Sequence, residues 1–127
     1  MILDTSAVVS ILFEEDGFPR LVEAMDGSEL GIGAPTLVET AMVLVGNFDL
    51  HGRALLAQFM ERNRIVVIPF DDRHRDAASE AFIRYGKGRH PAALNYGDCM
   101  TYATARVAGA PLLFVGEDFA QTDIAPA

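Results

Sequence analysis

The 127-residue sequence contains a single cysteine, Cys99, and only ten basic residues against eighteen acidic ones. One cysteine excludes an internal disulfide and fits a reducing compartment, so we expect a cytoplasmic protein. No apolar run approaches the roughly 20 residues needed to cross a bilayer, and the first residues lack the basic and apolar regions of a signal peptide. We therefore expect no membrane association.

The sequence also lacks proline-rich, Gly/Ser-rich and highly charged linkers, and it has no internal repeat. Half of its residues are apolar, which is enough for one continuous core. Because compact domains of this length are common, we expect residues 1–127 to form a single domain.

Short apolar runs alternate with segments of helical periodicity. The pattern predicts strands at residues 1–4, 30–34, 65–68 and 112–115, and helices at 5–14, 20–25, 36–45, 52–62, 72–85 and 96–107. Gly46 is expected to end the third helix. Continuously apolar strands are typical of a parallel sheet covered on both faces. The expected fold is α/β, a three-layer α/β/α sandwich with a short central parallel sheet and an active site at the carboxyl ends of its strands.

Four acidic residues lie at the ends of these segments. Asp4 follows the first strand, and Asp118 follows the last. Glu39 is the only charged residue in the apolar stretch 35–46, so its helix is expected to be buried on all sides. Asp98 is the only acid between positions 80 and 117, near the start of the last helix. The sheet predicted above would place Asp4 and Asp118 at equivalent positions on one of its edges.

Simpler explanations exist for each acid taken singly. The first and last could cap a helix or occupy a turn. Glu39 could belong to a capping box with Thr36 as the cap. Asp98 could do the same with Asn95. Capping does not explain why all four acids lie at segment ends beside the core.

Converging carboxylates need compensation. Two like charges about 4 Å apart repel by about 4 kcal/mol at an effective dielectric constant of 20, and several such pairs would rival the roughly 5–15 kcal/mol stability of a whole domain. Such a cluster therefore takes up protons or binds a cation. Oxygen ligands without histidine or cysteine favour Mg²⁺, with Mn²⁺ as an alternative, and Mg²⁺ suits phosphodiester hydrolysis.

Taken in order, these segments resemble the PIN-domain ribonucleases, and most of all the VapC toxins of type II toxin–antitoxin systems. The resemblance runs nearly from end to end, through Met1-Ile-Leu-Asp4-Thr-Ser6, Thr36-Leu-Val-Glu39, Asn95-Tyr-Gly-Asp98-Cys99, Val115-Gly-Glu-Asp118-Phe119 and Thr122-Asp123. It implies an Mg²⁺-dependent endoribonuclease that cleaves RNA phosphodiester bonds with metal-activated water.

The resemblance further implies that four carboxylates carry the catalysis and hold one or two Mg²⁺ ions: Asp4, Glu39, Asp98 and Asp118. Asp4 and Asp98 are the expected direct ligands, and the other two would act directly or through water. Thr5 or Ser6 would donate hydrogen bonds into the site.

Two further acids lie beside the motifs. Asp123 would be either a fifth carboxylate of the site or a solvated acid of the tail. Glu117 departs from the family, whose members often have asparagine before this aspartate, and it adds negative charge at the rim.

The resemblance also implies three partners: an RNA substrate, a cognate VapB-like antitoxin and a second copy of the chain in a homodimer. The apolar first half of the chain, including residues 11–13 and 37–44, could supply the protein contacts, although such residues also suit a core.

The overall charge of −8 argues against RNA binding, but half of the basic residues lie between positions 73 and 90. We expect Arg84, Lys87 and Arg89 to guide the RNA backbone and Tyr85 to stack on a base. The alternative is a solvated helix face followed by a polar loop.

Two rival functions remain open on the sequence. One is a catalytically silent PIN scaffold that binds RNA or a partner. The other is a phosphatase or phospho-receiver with Asp4 as the covalent phosphoacceptor. The phosphatase pattern requires an aspartate two positions after the nucleophile, where this chain has Ser6.

Overall fold

The computed structural model describes residues 1–127, which form four short strands and six α-helices. In chain order these are β1 (Ile2–Leu3), α1 (Thr5–Leu12), α2 (Phe18–Met25), β2 (Gly31–Gly33), α3 (Ala34–Phe48), α4 (Leu50–Arg62), β3 (Val66–Ile68), α5 (Asp72–Tyr85), α6 (Tyr96–Ala108) and β4 (Leu112–Leu113). A 3₁₀ turn over Phe119–Gln121 follows β4.

The four strands form one parallel sheet in the order β3-β2-β1-β4. Ile2 of β1 lies opposite Gly31 of β2 on one side and Leu112 of β4 on the other. The chain end covers the β4 edge, since Pro126 forms a bridge with Leu112. The predicted α/β fold with a central parallel sheet is confirmed.

Successive residues of a strand point to opposite faces of the sheet, and this alternation builds two separate cores. Ile2 and Leu112 pack on one face against α5 and α6. Leu3 and Leu113 pack on the other face, together with buried residues of α1, α2, α3 and α4. Helices therefore cover both faces of the sheet, as a three-layer sandwich requires.

The third strand is less covered than its apolar sequence predicts. Val66 is 64% exposed and Val67 is 43% exposed. The reason is its position, because β3 is the outermost strand of the sheet and pairs only with β2. The prediction of strands buried on both faces is wrong for this edge.

Helix α3 departs from its prediction at both ends. It begins at Ala34, with Pro35 in the first turn, where the missing N–H costs nothing. It then continues through Gly46, the expected end, to Phe48. A helix tolerates an isolated glycine at a cost of about 1 kcal/mol, and Phe48 beyond it packs edge-on against Phe13.

Helix α3 is also not buried on all sides, as its composition suggests. Val38 is 55% exposed and Met42 is 69% exposed, one turn apart on the same face. Its opposite face supplies Leu44 to the core. None of the six helices combines the length and apolar character needed to cross a bilayer.

Helices α3 and α4 cross so closely at Gly52 that a Cβ atom there would collide with the backbone carbonyl of Leu44. We expect Gly52→Ala to lower the free energy of unfolding by about 1–3 kcal/mol, because the clash is with backbone rather than with a movable side chain. Urea denaturation of the purified chain measures this change.

Gly46→Ala is the matched control, since a Cβ at that helical position meets nothing within 4 Å. It should leave the free energy of unfolding unchanged or raise it by up to about 1 kcal/mol. Equal destabilisation by both substitutions would contradict the close crossing.

Candidate functional site

Asp4 is the most firmly held of the four predicted carboxylates. It is 6% exposed at the end of β1 and caps α1. Its Oδ2 accepts hydrogen bonds from the Ser6 amide at 3.0 Å and from the Ser6 hydroxyl at 2.6 Å. Its Oδ1 accepts a third bond from Thr101 at 2.9 Å. The capping role considered for Asp4 is therefore real, and a hydroxyl from α6, 97 residues away, joins it.

Ser6 connects Asp4 to the last strand. Its hydroxyl oxygen accepts a hydrogen bond from the Val115 amide at 3.0 Å while its proton goes to Asp4. Val115 follows β4 and precedes Asp118 by three residues. This bond fixes the segment that carries Asp118 beside the end of β1.

Glu39 lies on the second turn of α3 and is half-buried. Its Oε1 accepts a hydrogen bond from Thr5 at 2.6 Å. Its Oε2 lies so close to Gly97 that a Cβ there would collide with it. Because Gly33 rather than Thr36 caps α3, the capping-box explanation for Glu39 is wrong. The missing side chain at position 97 lets α6 approach this carboxylate.

Asp98 lies in the first turn of α6, where it forms the alternative capping box with Asn95. Its Oδ2 accepts a hydrogen bond from the Asn95 amide at 3.0 Å. The cap uses only part of the carboxylate, since each carboxylate has about four acceptor positions. Capping and a role in the site are therefore compatible.

Burial raises the pKa of Asp98 from 3.8 to about 6, and the Asn95 amide only partly opposes it. The remaining causes are the negative charges of three other acids, namely Asp4, Asp118 and Glu39. An acid responds in this way only to charges that lie near it in a poorly solvated place. The fold thus brings the four predicted acids into one electrostatic neighbourhood.

Asp118 is the exposed member of the set. It directly precedes the 3₁₀ turn, and its side chain makes no capping hydrogen bond there. Glu117 beside it is exposed as well. A position before a turn explains the backbone conformation at Asp118. It does not explain the carboxylate, which makes no capping hydrogen bond.

Three buried threonines lie behind the acids: Thr36, Thr40 and Thr101. Thr36 was considered only as a helix cap, and the other two were not predicted as site residues. Thr36 and Thr101 share a hydrogen bond of 2.9 Å. Thr40 lies 3.0 Å from the Thr5 hydroxyl and donates to the Thr36 carbonyl. The available signal was helical spacing, since Thr36 and Thr40 are four residues apart in α3 and Thr101 follows Asp98 by three residues in α6.

Asp123 lies in a separate polar cluster. It accepts a hydrogen bond from Tyr102 at 2.7 Å, and two guanidinium groups approach it, those of Arg84 at 3.5 Å and Arg106 at 3.4 Å. These partners, Tyr102 foremost, hold the pKa of Asp123 below its usual value. Of the two expectations for Asp123, a tail acid fits these contacts and a fifth site carboxylate does not.

Only some of the residues expected to contact RNA are exposed to solvent. Tyr85 is 8% exposed, packed against His90 and Tyr102 beneath the Arg84 guanidinium, so it cannot stack on a base. The expectation for Tyr85 is wrong because α5 turns this ring into the core. Lys87 and Arg89 are exposed, as predicted for a polar loop.

The donor set matches a hard cation. All four acids offer oxygen, and the one nearby thiol, Cys99, is buried with its pKa raised to about 11, so it stays protonated. No three Asp, Glu, His or Cys side chains are gathered tightly enough to enclose a metal ion. The oxygen donors suit the chemistry of Mg²⁺, which usually keeps several waters in its coordination shell. The structure does not gather the side chains into a closed shell around an ion.

Comparisons with known proteins agree with the family resemblance of the sequence. The PIN domain family matches residues 1–125. Ribonuclease VapC36 of Mycobacterium tuberculosis is 44% identical over 126 residues, covering 98% of this chain and 91% of that protein. Ribonuclease VapC of Mycolicibacterium smegmatis is 43% identical over 126 residues, covering 98% of each.

Solved structures share the fold at much lower identity. The toxin VapC20 of Mycobacterium tuberculosis, described as cleaving the sarcin–ricin loop, has a TM-score of 0.79 at 16% identity and covers 99% of this chain and 97% of its own. VapBC2 of Rickettsia felis, bound to promoter DNA, has a TM-score of 0.77 at 15% identity, with 99% and 96% coverage. The chain belongs to the PIN-domain family, among the VapC ribonucleases.

Proposed function

We propose that the protein is an Mg²⁺-dependent endoribonuclease and the toxin of a VapBC-type toxin–antitoxin pair. Ribonucleases named VapC, 40–44% identical over nearly the whole chain, support the nuclease assignment. The observation that supports the metal is that hydrogen bonds join the segments that carry the acids: Thr5 to Glu39, Thr101 to Asp4 and Val115 to Ser6. The raised pKa of Asp98, caused first by burial and then by the other three acids, agrees with this arrangement. Binding of a divalent cation would offset the repulsion among these carboxylates.

Asp4 and Asp98 would hold the ion directly, and Glu39 and Asp118 would hold it directly or through water. Mn²⁺ could replace Mg²⁺, since both prefer oxygen ligands. When bound, the ion would supply the means to activate water and to neutralise charge developing on the phosphodiester. Asp98 must first give up its proton, which it holds up to about pH 6.

The hydroxyls around the acids would orient them before substrate arrives. Thr5 holds one oxygen of Glu39, and Ser6 holds one oxygen of Asp4. Preorganised groups of this kind cost no reorganisation during the reaction. The phosphatase alternative is disfavoured by Ser6, which occupies the position where that pattern requires a second aspartate.

A VapB-like antitoxin is the proposed protein partner, because structural relatives include a VapBC complex. A groove of about 260 Å³ between α1, α2 and α4 is suited to an apolar segment, with Ile11, Leu12, Val22 and Phe59 among its lining residues. The homodimer expected from the resemblance stays a prediction. The exposed face of α3 at Val38 and Met42, next to Glu39, is one surface that could form it.

The nuclease proposal predicts that the wild-type chain cleaves single-stranded RNA in Mg²⁺ and stops when EDTA removes the metal. Asp4→Asn and Asp98→Asn should each lower the cleavage rate by about 100-fold or more, because each removes a metal-binding charge without changing side-chain size. Asp26→Asn, at the exposed end of α2, is the matched control and should cleave normally. Full cleavage in EDTA would refute the metal requirement.

The raised pKa of Asp98 predicts how the metal-free protein responds to pH. Since the folded chain keeps this proton above the usual value of 3.8, its free energy of unfolding should fall as pH rises from 3.8 to about 6. Cation affinity should rise over the same range, because the ion needs the ionised carboxylate. Calorimetric titration with Mg²⁺ at several pH values measures this trend.

Carboxyl carbon NMR can assign that titration to Asp98. Asp118→Asn should lower the pKa of Asp98, since it removes one of the charges that raise it. Glu117→Gln is the control and should change that pKa less, because Glu117 is not among those charges. An Asp98 that titrates near 3.8 in the metal-free protein would contradict the shared neighbourhood.

The exposed loop cations remain candidates for the RNA backbone. We expect the double variant Lys87→Glu/Arg89→Glu to bind single-stranded RNA about tenfold or more weakly, because phosphate contacts are lost. Its Mg²⁺ affinity should not change. Arg20→Glu/Arg53→Glu carries the same charge reversal on exposed positions of α2 and α4 and is the control. Equal loss in both double variants would point to overall charge rather than to this loop.

A further inference from the structure

A chain of buried hydroxyls ends on the carboxylate of Asp4. Thr36, 2% exposed, lies 2.9 Å from the Thr101 hydroxyl, and Thr101, 0% exposed, donates to Oδ1 of Asp4 at 2.9 Å. Every buried polar side-chain atom has a partner in the structure. These hydrogen bonds join α3, α6 and the end of β1.

Counting protons shows which hydroxyl is the donor in each of these hydrogen bonds. A threonine hydroxyl carries one proton, and an ionised carboxylate carries none. The Thr101 proton therefore goes to Asp4, and Thr36 must donate to Thr101. Both donations run toward the acid.

The same count shows what remains free on Asp4. A carboxylate has about four acceptor positions, two on each oxygen. The amide and the hydroxyl of Ser6 fill both positions of Oδ2. Thr101 fills one position of Oδ1, so one position on Oδ1 stays available.

We propose that Thr101 is a positioning residue, which fixes the Asp4 carboxylate so that Oδ1 offers its remaining lone pair to the cation. The inference rests on the proposed metal site. Thr101 lies three residues after Asp98, so both occupy the same face of α6. A single helix then supplies one expected ligand and the hydroxyl that aims another.

A purely structural role would make a different prediction. If Thr101 only satisfies buried polar groups, its removal lowers stability and leaves the affinity of a folded site for metal unchanged. If it aims Asp4, metal affinity falls in protein that is still folded. Partners that orient metal ligands typically change affinity by about 10–100-fold.

The chain offers a matched control at Thr104. This residue lies one turn further along α6, is 1% exposed, and donates to the Met100 carbonyl of its own helix at 2.9 Å. Valine has nearly the shape of threonine, so Thr101→Val and Thr104→Val each delete one buried hydroxyl. Only the first hydroxyl touches an acid of the site.

The test measures binding of Mn²⁺ to the full-length chain by calorimetry and by the electron paramagnetic resonance of free Mn²⁺, without RNA. Thr101→Val should bind about tenfold or more weakly than wild type. Thr101→Ser, which keeps the hydroxyl, should bind nearly as wild type, and so should Thr104→Val. Thermal melting checks that each variant is folded.

Undiminished affinity in folded Thr101→Val, or an equal loss in Thr104→Val, would overturn the inference while leaving the proposed function intact. A wild-type chain that binds no Mn²⁺ would overturn both. If Thr101→Val does not fold, Thr36→Val replaces it, because that variant removes the donor behind Thr101. It should weaken Mn²⁺ binding to a smaller extent, and unchanged binding would reject the proposal.

Discussion

The rest of the site depends on how the structure tolerates negative charge at one edge of the sheet. Asp4, Glu39, Asp98 and Asp118 come from four separate segments, and the negative charges of the other three acids help to raise the pKa of Asp98. Three features reduce the cost of this charge. Hydroxyl and amide groups donate hydrogen bonds to Asp4 and Glu39. Asp98 has a raised proton affinity, and Asp118 is exposed to solvent. Each feature compensates part of the charge and leaves acceptor positions for a cation.

Local structure and the candidate site use the same residues. Asp4 caps α1, and Asp98 belongs to the capping box of α6. Each cap bond occupies only part of a carboxylate, so these acids hold helix ends in place and keep acceptor positions for other partners. This double use explains why the capping explanation and the metal explanation cannot be separated by motif alone. For Glu39 they can be, because α3 begins too early for Thr36 to be its cap.

Much of the architecture could be predicted from local pattern. The strands and the parallel sheet follow from apolar periodicity, and so does the position of Asp4 at the end of β1. The end of α3 could not, since Gly46 is compatible with a helix whose last residue, Phe48, packs against Phe13. The threonine chain was out of reach as well, because its partners are 65 and 97 residues apart in sequence. The burial of Tyr85 depends on how α5 packs against α6, which periodicity alone leaves open.

The central claim is that one divalent ion joins acids from distant segments. Its most direct test is a crystal structure of the chain grown with Mn²⁺, with anomalous difference maps that locate the metal independently of the protein model. We expect a peak at the carboxyl edge of the sheet, in contact with Oδ1 of Asp4 and with the carboxylate of Asp98. A map with no peak there, or with Mn²⁺ bound only at other acids of the surface, would contradict it.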